Sequence, residues 1–391
     1  MCGKPRAFSY EVTTQYDNRI TGESAMMKTV IIRSGLLVLC AFPLKGYCQL
    51  VNWELLTDSP GWESRDSAGE MVFNDHIWIM GGWFDSFHAP PRDVWKSKDG
   101  NRWIRTRRLA PWIHSDFPMT VVFKNRMWIM GGWFNGRLPG HSAGRAVWSS
   151  TNGNQWQKSN AKAGWSGRLA GAAVAFRGKM WVIGGTENYY FGDQKSLKND
   201  IWSSVDGIVW KCELEKAPWV PRAYHRVVVF DDKMWLMGGG NYLPEYEAHH
   251  DVWSSSDGVI WNRETASAPW HPRIWFSSVV YRDRIWVLGG WSNHPPRNWA
   301  DVWYSRDGKN WNDLKTNTIW TPRHAHSTVV FNHKIIVAGG HATPLNSEVW
   351  CLDIPEGWFE VNNGVQACKS DRPFETRGNA GNPTVAVIVS K

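Results

Sequence analysis

Residues 226–239 read RVVVFDDKMWLMGG, in which two apolar runs flank a short polar turn and a Gly-Gly pair ends the second run. Aromatic and β-branched residues of this kind favour strands. Glycine suits the end of such a strand, because close backbone packing or a positive φ there excludes a side chain. The stretch therefore predicts two antiparallel strands joined by a tight turn, the second of which ends at Gly238-Gly239.

The same unit occurs six times along the chain. Successive Gly-Gly pairs are separated by 50, 53, 54, 51 and 50 residues, a period expected for a four-stranded propeller blade and not for a helical solenoid. The pairs are Gly81-Gly82, Gly131-Gly132, Gly184-Gly185, Gly238-Gly239, Gly289-Gly290 and Gly339-Gly340. The repeat predicts a ring of six blades, so functional residues are expected at the mouth of that ring.

Most of the 29 Trp residues keep register with these glycines. One stands three residues before five of the pairs, with Ile336 in the sixth, and a Val-Trp or Ile-Trp pair follows downstream. Another Trp comes eight residues later, and five copies carry a Ser-x-Asp-Gly or Ser-x-Asn-Gly turn in between, as tight hairpins require. We interpret these Trp residues as packing between blades. Each unit thus predicts four antiparallel strands, and the fold is expected to be all-β.

Two segments compete to close the ring. Trp53 precedes Arg65 by the twelve residues that separate Trp and Arg in other copies, so residues 52–56 resemble an additional outermost strand. Trp358 also stands eight residues after Trp350, as an outermost strand would require. The last copy has lost its Asp-Gly turn, which favours the N-terminal strand. Either strand would cover an edge that otherwise invites aggregation.

The two ends of the chain lie outside the repeats. Residues 26–48 combine a basic start, a short apolar core and small residues, the pattern of a signal peptide whose core is too short to span a bilayer. Residues 1–25 have no role in such a signal and are expected to be untranslated or disordered. The propeller is assigned to residues 49–361, and the polar tail, residues 362–391, is expected to be loosely ordered. The protein is therefore expected to be secreted or periplasmic.

Charge and cysteine content argue against some classes of protein. The net charge is +8 and falls to +5 without residues 1–48, which carry six basic and three acidic residues. No basic stripe remains, so nucleic acid is not an expected partner. Removing the same residues leaves Cys212, Cys351 and Cys368, an odd number that argues against a disulfide framework. A Cys351–Cys368 bridge and separate roles for each cysteine stay open.

The Gly-Gly pair after an apolar strand, the distal Trp and the period near 50 residues resemble Kelch repeats across residues 52–361. The Ser-x-Asp-Gly turns are also similar to the Asp-box turns of sialidases, in which the box is structural and remote from catalysis. Kelch propellers serve unrelated functions, so the fold does not choose among them. The resemblance implies that ligands bind on the face formed by the loops after Gly-Gly and the segments that enter the inner strands.

That face collects aromatic rings beside hydrogen-bonding groups. After the glycines come Trp83, Trp133, Thr186, Gly240, Trp291 and His341, and at the inner-strand entrances come Asp66, Phe117, Leu169, Tyr224, Trp275 and His324. A sugar has an apolar face and a hydroxyl rim, so we expect a carbohydrate or glycoconjugate, with a protein partner as the alternative. A further alternative is that several of these rings only pack loops onto the blades. The candidate ligand-binding residues are Trp83, Trp133, Glu187, Arg222, Tyr224, Asn241, Arg273, Trp275, Trp291, His324 and His341.

An Arg column accompanies the repeats and has two interpretations. An Arg follows the second Trp by twelve residues in four copies, Arg65 extends the column, and Ser115 breaks it. A ring of Arg side chains would bind the carboxylate of an acidic sugar, and Kelch-type sialic acid mutarotases are similar in fold. Recurrence irrespective of the loops favours the other interpretation, in which each Arg holds its own loop through backbone carbonyls. The column comprises Arg65, Arg168, Arg222, Arg273 and Arg323.

Catalysis is not the leading expectation. Mutarotation of an acidic sugar needs an acid and a base, but spacing selects no pair among Glu187, Glu245, Glu247, His225 and His324. A copper radical oxidase of the galactose oxidase type needs a Tyr linked to a Cys, whereas Cys212 and Cys351 belong to outer strands. His249 and His250 are adjacent on an extended segment and point to opposite faces. No cofactor or metal is therefore expected, and the protein is expected to be a monomer.

Overall fold

The computed structural model describes residues 51–84, 90–134, 142–189, 194–242 and 247–362. The predictions for residues 1–25, the signal peptide and the C-terminal tail lie outside these ranges, as does Cys368. Within these ranges, no helix is long and apolar enough to cross a membrane.

The described chain forms six four-stranded antiparallel sheets, as predicted. The first strand, β1 (Trp53–Thr57), belongs to the last sheet. Blade 1 contains β2 (Gly69–Phe73), β3 (His76–Met80), β4 (Val94–Ser97) and β5 (Trp103–Arg107). Blade 2 contains β6 (Met119–Phe123), β7 (Arg126–Met130), the short hairpin β8 (Trp133–Phe134) and β9 (Ser142–Ala143), β10 (Val147–Ser150) and β11 (Gln157–Asn160).

The later blades repeat the arrangement. Blade 3 contains β12 (Ala172–Phe176), β13 (Lys179–Thr186), β14 (Leu197–Ser204) and β15 (Lys211–Leu214), with a 3-10 turn at Gln194–Ser196. Blade 4 contains β16 (Arg226–Phe230), β17 (Lys233–Met237), β18 (Val252–Ser255) and β19 (Asn262–Thr265). Blade 5 contains β20 (Ser277–Tyr281), β21 (Arg284–Asn293), β22 (Pro296–Ser305) and β23 (Asn312–Asp313). Blade 6 contains β24 (Ser327–Phe331), β25 (Lys334–Ala338) and β26 (Val349–Leu352), and a short helix α1 (Trp358–Asn362) follows.

The N-terminal strand closes the ring. β1 pairs with β26 as the outermost strand of blade 6, with Trp53 opposite Leu352. The backbone N–H of Trp53 also donates to the carbonyl of Thr318, at 3.1 Å, in the segment after blade 5. Trp358 begins a helix and not an outermost strand. The preference for N-terminal closure is thus confirmed.

Tryptophans of the second strands are held between blades. The Trp128 indole N–H donates to the carbonyl of Phe123 at 3.0 Å. Gly207, in the Ser-x-Asp-Gly turn of the next blade, lies on that ring so closely that a Cβ on it would sit 2.2 Å from the indole. The same contact recurs as Gly153 on Trp78, Gly258 on Trp181 and Gly308 on Trp235. The Asp-Gly turn therefore does more than reverse the chain, because its glycine lets adjacent blades approach.

Blade 6 has lost the Asp-Gly turn whose glycine would pack on the second-strand Trp of blade 5. Helix α1 packs on that Trp instead. Phe359 contacts the rings of Trp286, at 6.3 Å between centroids, and Tyr304, at 5.3 Å, both in blade 5. Phe359 is buried, and the guanidinium of Arg284 lies 3.3 Å from its ring centroid. The C-terminal segment thus covers the blade 5 ring instead of closing the sheet.

Candidate functional site

Two groups of loops meet at one end of the ring, as the resemblance to Kelch repeats implied. The residue after each Gly-Gly pair forms a β-bridge with the residue that leads into the inner strand of the same blade. The bridges are Asp66–Trp83, Asp116–Trp133, Leu169–Thr186, Ala223–Gly240, Ile274–Trp291 and His324–His341. This layer of bridges frames the mouth of the central channel.

A ring of left-handed residues follows directly beneath these bridges. Each blade places one residue there at a φ between 47° and 59°, although none is glycine. Their backbones are joined from blade to blade, for instance by the N–H of Phe117 on the carbonyl of Ser67 at 3.0 Å and the N–H of Ala170 on that of Phe117 at 3.1 Å. The six residues are Ser67, Phe117, Ala170, Tyr224, Trp275 and Ala325. Non-glycine residues rarely adopt this conformation, so the hydrogen-bonded ring holds them in it.

The aromatic members of this ring pack together at the mouth. Tyr224 lies 5.4 Å from Phe117 and 5.5 Å from Trp275, measured between ring centroids. Tyr189 and Tyr242 from the loops after Gly-Gly add further rings, with Tyr242 only 4.7 Å from Trp275. Tyr224 and Trp275 are 4% and 6% exposed. Their faces are therefore covered by neighbouring rings and do not form an open stacking surface.

The remaining predicted side chains differ in accessibility. Trp133 and Asn241 are buried, whereas Trp83 and Trp291 are partly exposed. The carboxylate of Glu187 forms an ion pair with Lys198 at 3.0 Å. Among the predicted tryptophans, Trp83 and Trp291 therefore offer the accessible ring surface.

His324 lies beside Trp291 in a fixed hydrogen-bond network. The Asn298 amide donates its Nδ2–H to the carbonyl of His341 at 3.0 Å, which turns its Oδ1 toward Nδ1 of His324, at 2.6 Å. Because an amide oxygen only accepts, Nδ1 of His324 carries the proton and Nε2 keeps its lone pair. Burial, with a smaller effect of His341, lowers the pKa of His324 well below its usual value. His324 thus presents a neutral imidazole, stacked 4.7 Å from Trp275.

Two buried carboxyl groups lie at the entrances of blades 1 and 2. The Ser67 hydroxyl donates to Oδ1 of Asp66 at 2.6 Å, and Oδ1 of Asp116 is buried without a hydrogen-bond partner among the described residues. Burial raises the pKa of Asp66 to about 7. Burial, and then the charge of Asp66, raises the pKa of Asp116 well above its usual value. Asp116 was not predicted from the sequence. It occupies in blade 2 the position that Asp66 occupies in blade 1, one residue before Phe117.

We expect Asp66→Asn to stabilise the protein at neutral pH and not in acid. The raised pKa means that the folded protein binds the Asp66 proton more tightly than the unfolded chain does. This proton therefore stabilises the fold fully below about pH 4, and its contribution is lost as the pH rises through about 7. A shift of this size corresponds to at most about 4 kcal/mol, so a gain of about 2–4 kcal/mol is expected at pH 8. Urea unfolding at pH 4 and pH 8 measures it. The control is Asp58→Asn, which removes an exposed carboxyl that also accepts from a neighbouring serine; equal effects of both substitutions at pH 8 would contradict the prediction.

The Arg column forms a framework of buried ion pairs. Arg273 is 0% exposed and donates to both carboxylate oxygens of Asp301, at 2.6 and 2.8 Å. It also donates to the carbonyls of His271, at 3.0 Å, and Gly289, at 2.8 Å. Arg222 repeats this pattern with Asp251. These bonds match the interpretation in which each Arg holds its own loop. Arg222 and Arg273 were predicted to bind ligand, but their guanidinium donors are already bonded to Asp251 and Asp301.

The acidic partners of this column escaped the sequence reasoning, although the repeats contain the signal. An acidic residue stands two positions before the Trp of the third strand wherever the Arg is present. Blade 2 has Ser115 in place of the Arg and Ala146 in place of the acid, so both partners are missing together. The pairs are Arg65–Asp93, Arg168–Asp200, Arg222–Asp251, Arg273–Asp301 and Arg323–Glu348.

The residues considered above for catalysis or metal binding lie in separate surroundings. His225 is 2% exposed and donates from Nε2 to the carbonyl of Ile183, at 3.1 Å, while burial and then Arg222 lower its pKa to about 3. Glu247 is exposed, and Glu245 lies outside the described residues. The ring of His250 bonds the carbonyl of Trp270 at 3.1 Å. No group of three or more His, Cys, Asp or Glu side chains arranged to hold a metal occurs within the ranges given above.

Comparison with known proteins identifies the family. No curated protein sequence matches the chain. A solved structure entitled "Structure of YjhT" superposes with a TM-score of 0.60 at 16% identity, covering 75% of this chain and 96% of that one, and so supports the fold. The family model described as the KLHDC2/KLHL20/DRC7 Kelch-repeats domain matches residues 118–340, more than half of the chain. On this evidence the chain belongs to the Kelch-repeat family of β-propellers.

Proposed function

We propose that this Kelch propeller binds a carbohydrate at the mouth of its channel, over blades 5, 6 and 1. The observation that carries the proposal is the position of a partly exposed Trp291 ring 5.8 Å from the fixed imidazole of His324. A sugar ring stacks its C–H face on an indole while its hydroxyls bond polar groups at the edge.

The polar groups at this part of the mouth suit a hydroxylated ligand. Nε2 of His324 accepts a hydroxyl hydrogen, because its partner nitrogen already holds the proton. Asp66 is 7% exposed and its pKa of about 7 keeps much of the carboxyl group protonated at neutral pH, so it can donate as well as accept. The site therefore supplies both a hydrogen-bond donor and a hydrogen-bond acceptor to a sugar hydroxyl.

A second candidate function, sugar mutarotation, is favoured by the acid–base character of the same residues. Opening a cyclic hemiacetal needs a proton delivered to the ring oxygen and a proton taken from the anomeric hydroxyl while the bond between the anomeric carbon and the ring oxygen breaks. Asp66, with a pKa of about 7, is suited to deliver the first, and His324 on the adjacent blade has a free Nε2 lone pair for the second, although burial makes that nitrogen a weak base. When the sugar ring closes on the other face of the carbonyl group, the hydroxyl that attacks gives a proton back to Asp66 and His324 gives its proton to the new anomeric oxygen. The reaction therefore needs no cofactor.

We expect Trp291→Ala to weaken sugar binding about 5- to 150-fold without unfolding the protein. Stacking of a nucleobase on one aromatic ring contributes about 1–3 kcal/mol, and we expect a similar contribution from a sugar ring on Trp291. A glycan array on the purified protein selects the sugar, and calorimetry then compares the parent with the variant. Trp291→Ala is a cleaner test than Trp275→Ala, because Trp291 is partly exposed whereas Trp275 is buried in the packed cluster of the mouth.

The matched control is Trp148→Ala, which removes a partly exposed indole from the third strand of blade 2. It should leave sugar binding unchanged. A blank array with folded parent protein would remove the carbohydrate proposal and favour a protein partner. For the second candidate, exchange between anomers of the bound sugar is followed by NMR, and a parent protein that binds without accelerating exchange excludes mutarotation.

A further inference from the structure

A cavity of about 190 Å³ occupies the central channel beneath the aromatic cluster of the mouth. A cavity of this size has room for several water molecules or one small organic molecule. Its walls include the second residues of the inner strands, among them Glu70, Thr120, Ser278 and Thr328. Arg226, the first residue of β16, enters the same space from blade 4.

Arg226 differs from the column arginines in how its guanidinium is used. Its Nε donates to the carbonyl of Phe276 at 2.8 Å, which fixes the plane of the group. Its contact with a charged group is Oε1 of Glu70, on the opposite blade, at 3.7 Å from Nη1, too far for a hydrogen bond. Neither terminal nitrogen donates a hydrogen bond to any residue in the described part of the chain. The outer fork of Arg226 therefore faces the cavity with its donors unpaired by protein.

Two hydroxyl groups in the cavity wall are also poorly paired. Oγ1 of Thr328 is buried and has no hydrogen-bond partner among the described residues. Oγ of Ser278 approaches Sδ of Met237 at 3.9 Å, a weak acceptor. A fixed guanidinium fork matches the two oxygens of a carboxylate, and hydroxyl donors nearby suit the same anion.

We propose that the channel is a binding site for a small monocarboxylate, held by the outer fork of Arg226. The proposal concerns a different place from the carbohydrate site and does not rest on it. The side chains of Arg226 and Glu70 are 33% and 16% exposed, so water from the channel reaches the Nη donors of Arg226, and an anion that accepts from both nitrogens can replace that water.

Glu70 makes this site sensitive to pH. Burial raises the pKa of Glu70 to about 7, although Arg226 opposes the shift. When Glu70 is protonated, the positive charge of Arg226 is free to interact with a bound anion. When Glu70 is ionised, its carboxylate competes with the anion for Arg226 and also repels the anion. The other titratable side chains near Arg226 are His225 and His326, and burial lowers the pKa of each, which keeps both neutral. Asp66 and Asp116 lie above, at the mouth. Affinity for the anion is therefore expected to fall as the pH rises through about 7, with proton uptake on binding that is small at pH 6 and approaches one proton at pH 8.

The test is calorimetry of the full chain with sodium acetate at pH 6 and pH 8, against sodium chloride at equal ionic strength. The parent should bind acetate saturably and more tightly at pH 6. Arg226→Gln should lose at least tenfold in affinity, and Glu70→Gln should bind equally at both pH values. Arg263→Gln, which removes an exposed Arg on β19, is the control and should behave as the parent.

Several outcomes would overturn the proposal. These are no saturable acetate signal in a folded parent, equal loss in Arg226→Gln and Arg263→Gln, or an unchanged pH dependence in Glu70→Gln. If Arg226→Gln fails to fold, Arg226→Lys serves instead, since it keeps the charge but loses the fork and should still bind more weakly. Trp291→Ala should leave acetate binding intact, so failure of the sugar proposal and failure of this one are distinguishable.

Discussion

Arg273→Ser is expected to lower the free energy of unfolding by about 3–4 kcal/mol, because it leaves the carboxylate of Asp301 largely buried without its partner. Burial opposes the ionisation of Asp301, but the charge and hydrogen bonds of Arg273 outweigh it and lower the pKa of that carboxyl. The substitution also removes donors from the carbonyls of His271 and Gly289. Urea unfolding at pH 7 followed by Trp fluorescence measures the loss.

Blade 2 supplies the matched control for this prediction. It has Ser115 and Ala146 where blade 5 has Arg273 and Asp301, and the Ser115 hydroxyl donates to the carbonyl of Pro91 at 2.7 Å. The double variant Arg273→Ser with Asp301→Ala should therefore lose about 1–2 kcal/mol less than the single variant, since no charge remains unpaired. Additive losses in the double variant would show that packing, and not the ion pair, accounts for the effect.

The pH dependence gives an independent check on the same pair. A lowered folded pKa means that the contribution of Asp301 is present above the unfolded value of about 3.9 and is lost as the pH falls through the folded value. The difference between parent and Arg273→Ser should therefore shrink in acid.

Gly207→Ala is expected to lower the free energy of unfolding by about 2–5 kcal/mol. A Cβ there would lie 2.2 Å from the ring of Trp128, and the residue has a φ of +74°, so the variant combines overpacking with backbone strain. Since the contact joins blades 2 and 3, the ring must open slightly or the indole must move. The shift in the midpoint of urea unfolding measures the cost.

Gly178→Ala separates the two causes. Gly178 has nearly the same φ, +73°, but no atom lies within 4 Å of its added Cβ. This control should cost about 1–2 kcal/mol, the strain of a left-handed residue alone. Equal losses at both positions would show that the Gly207 contact with Trp128 does not limit the approach of the blades.

Much of the fold followed from the sequence, because the residues that define a blade are required by its local backbone. The glycines of the Gly-Gly pairs are needed for positive φ and close packing, so they recur at a nearly fixed period and reveal the number of blades. The loss of the Asp-Gly turn in the last copy likewise pointed to closure by β1. The Arg column was visible too, but its acidic partners were missed because the partner residues are separated by a loop of variable length.

The sequence by itself determined the Kelch propeller, its six blades and the end of the ring at which loops gather. The tertiary structure decided which side chains at that end are accessible, leaving Trp291 partly exposed and burying Trp275 among other rings. It also decided that Glu70 and Arg226 face each other across the channel. The physical reason is that repeat columns encode contacts within a blade and between neighbours, whereas residues on opposite blades meet only when the ring closes.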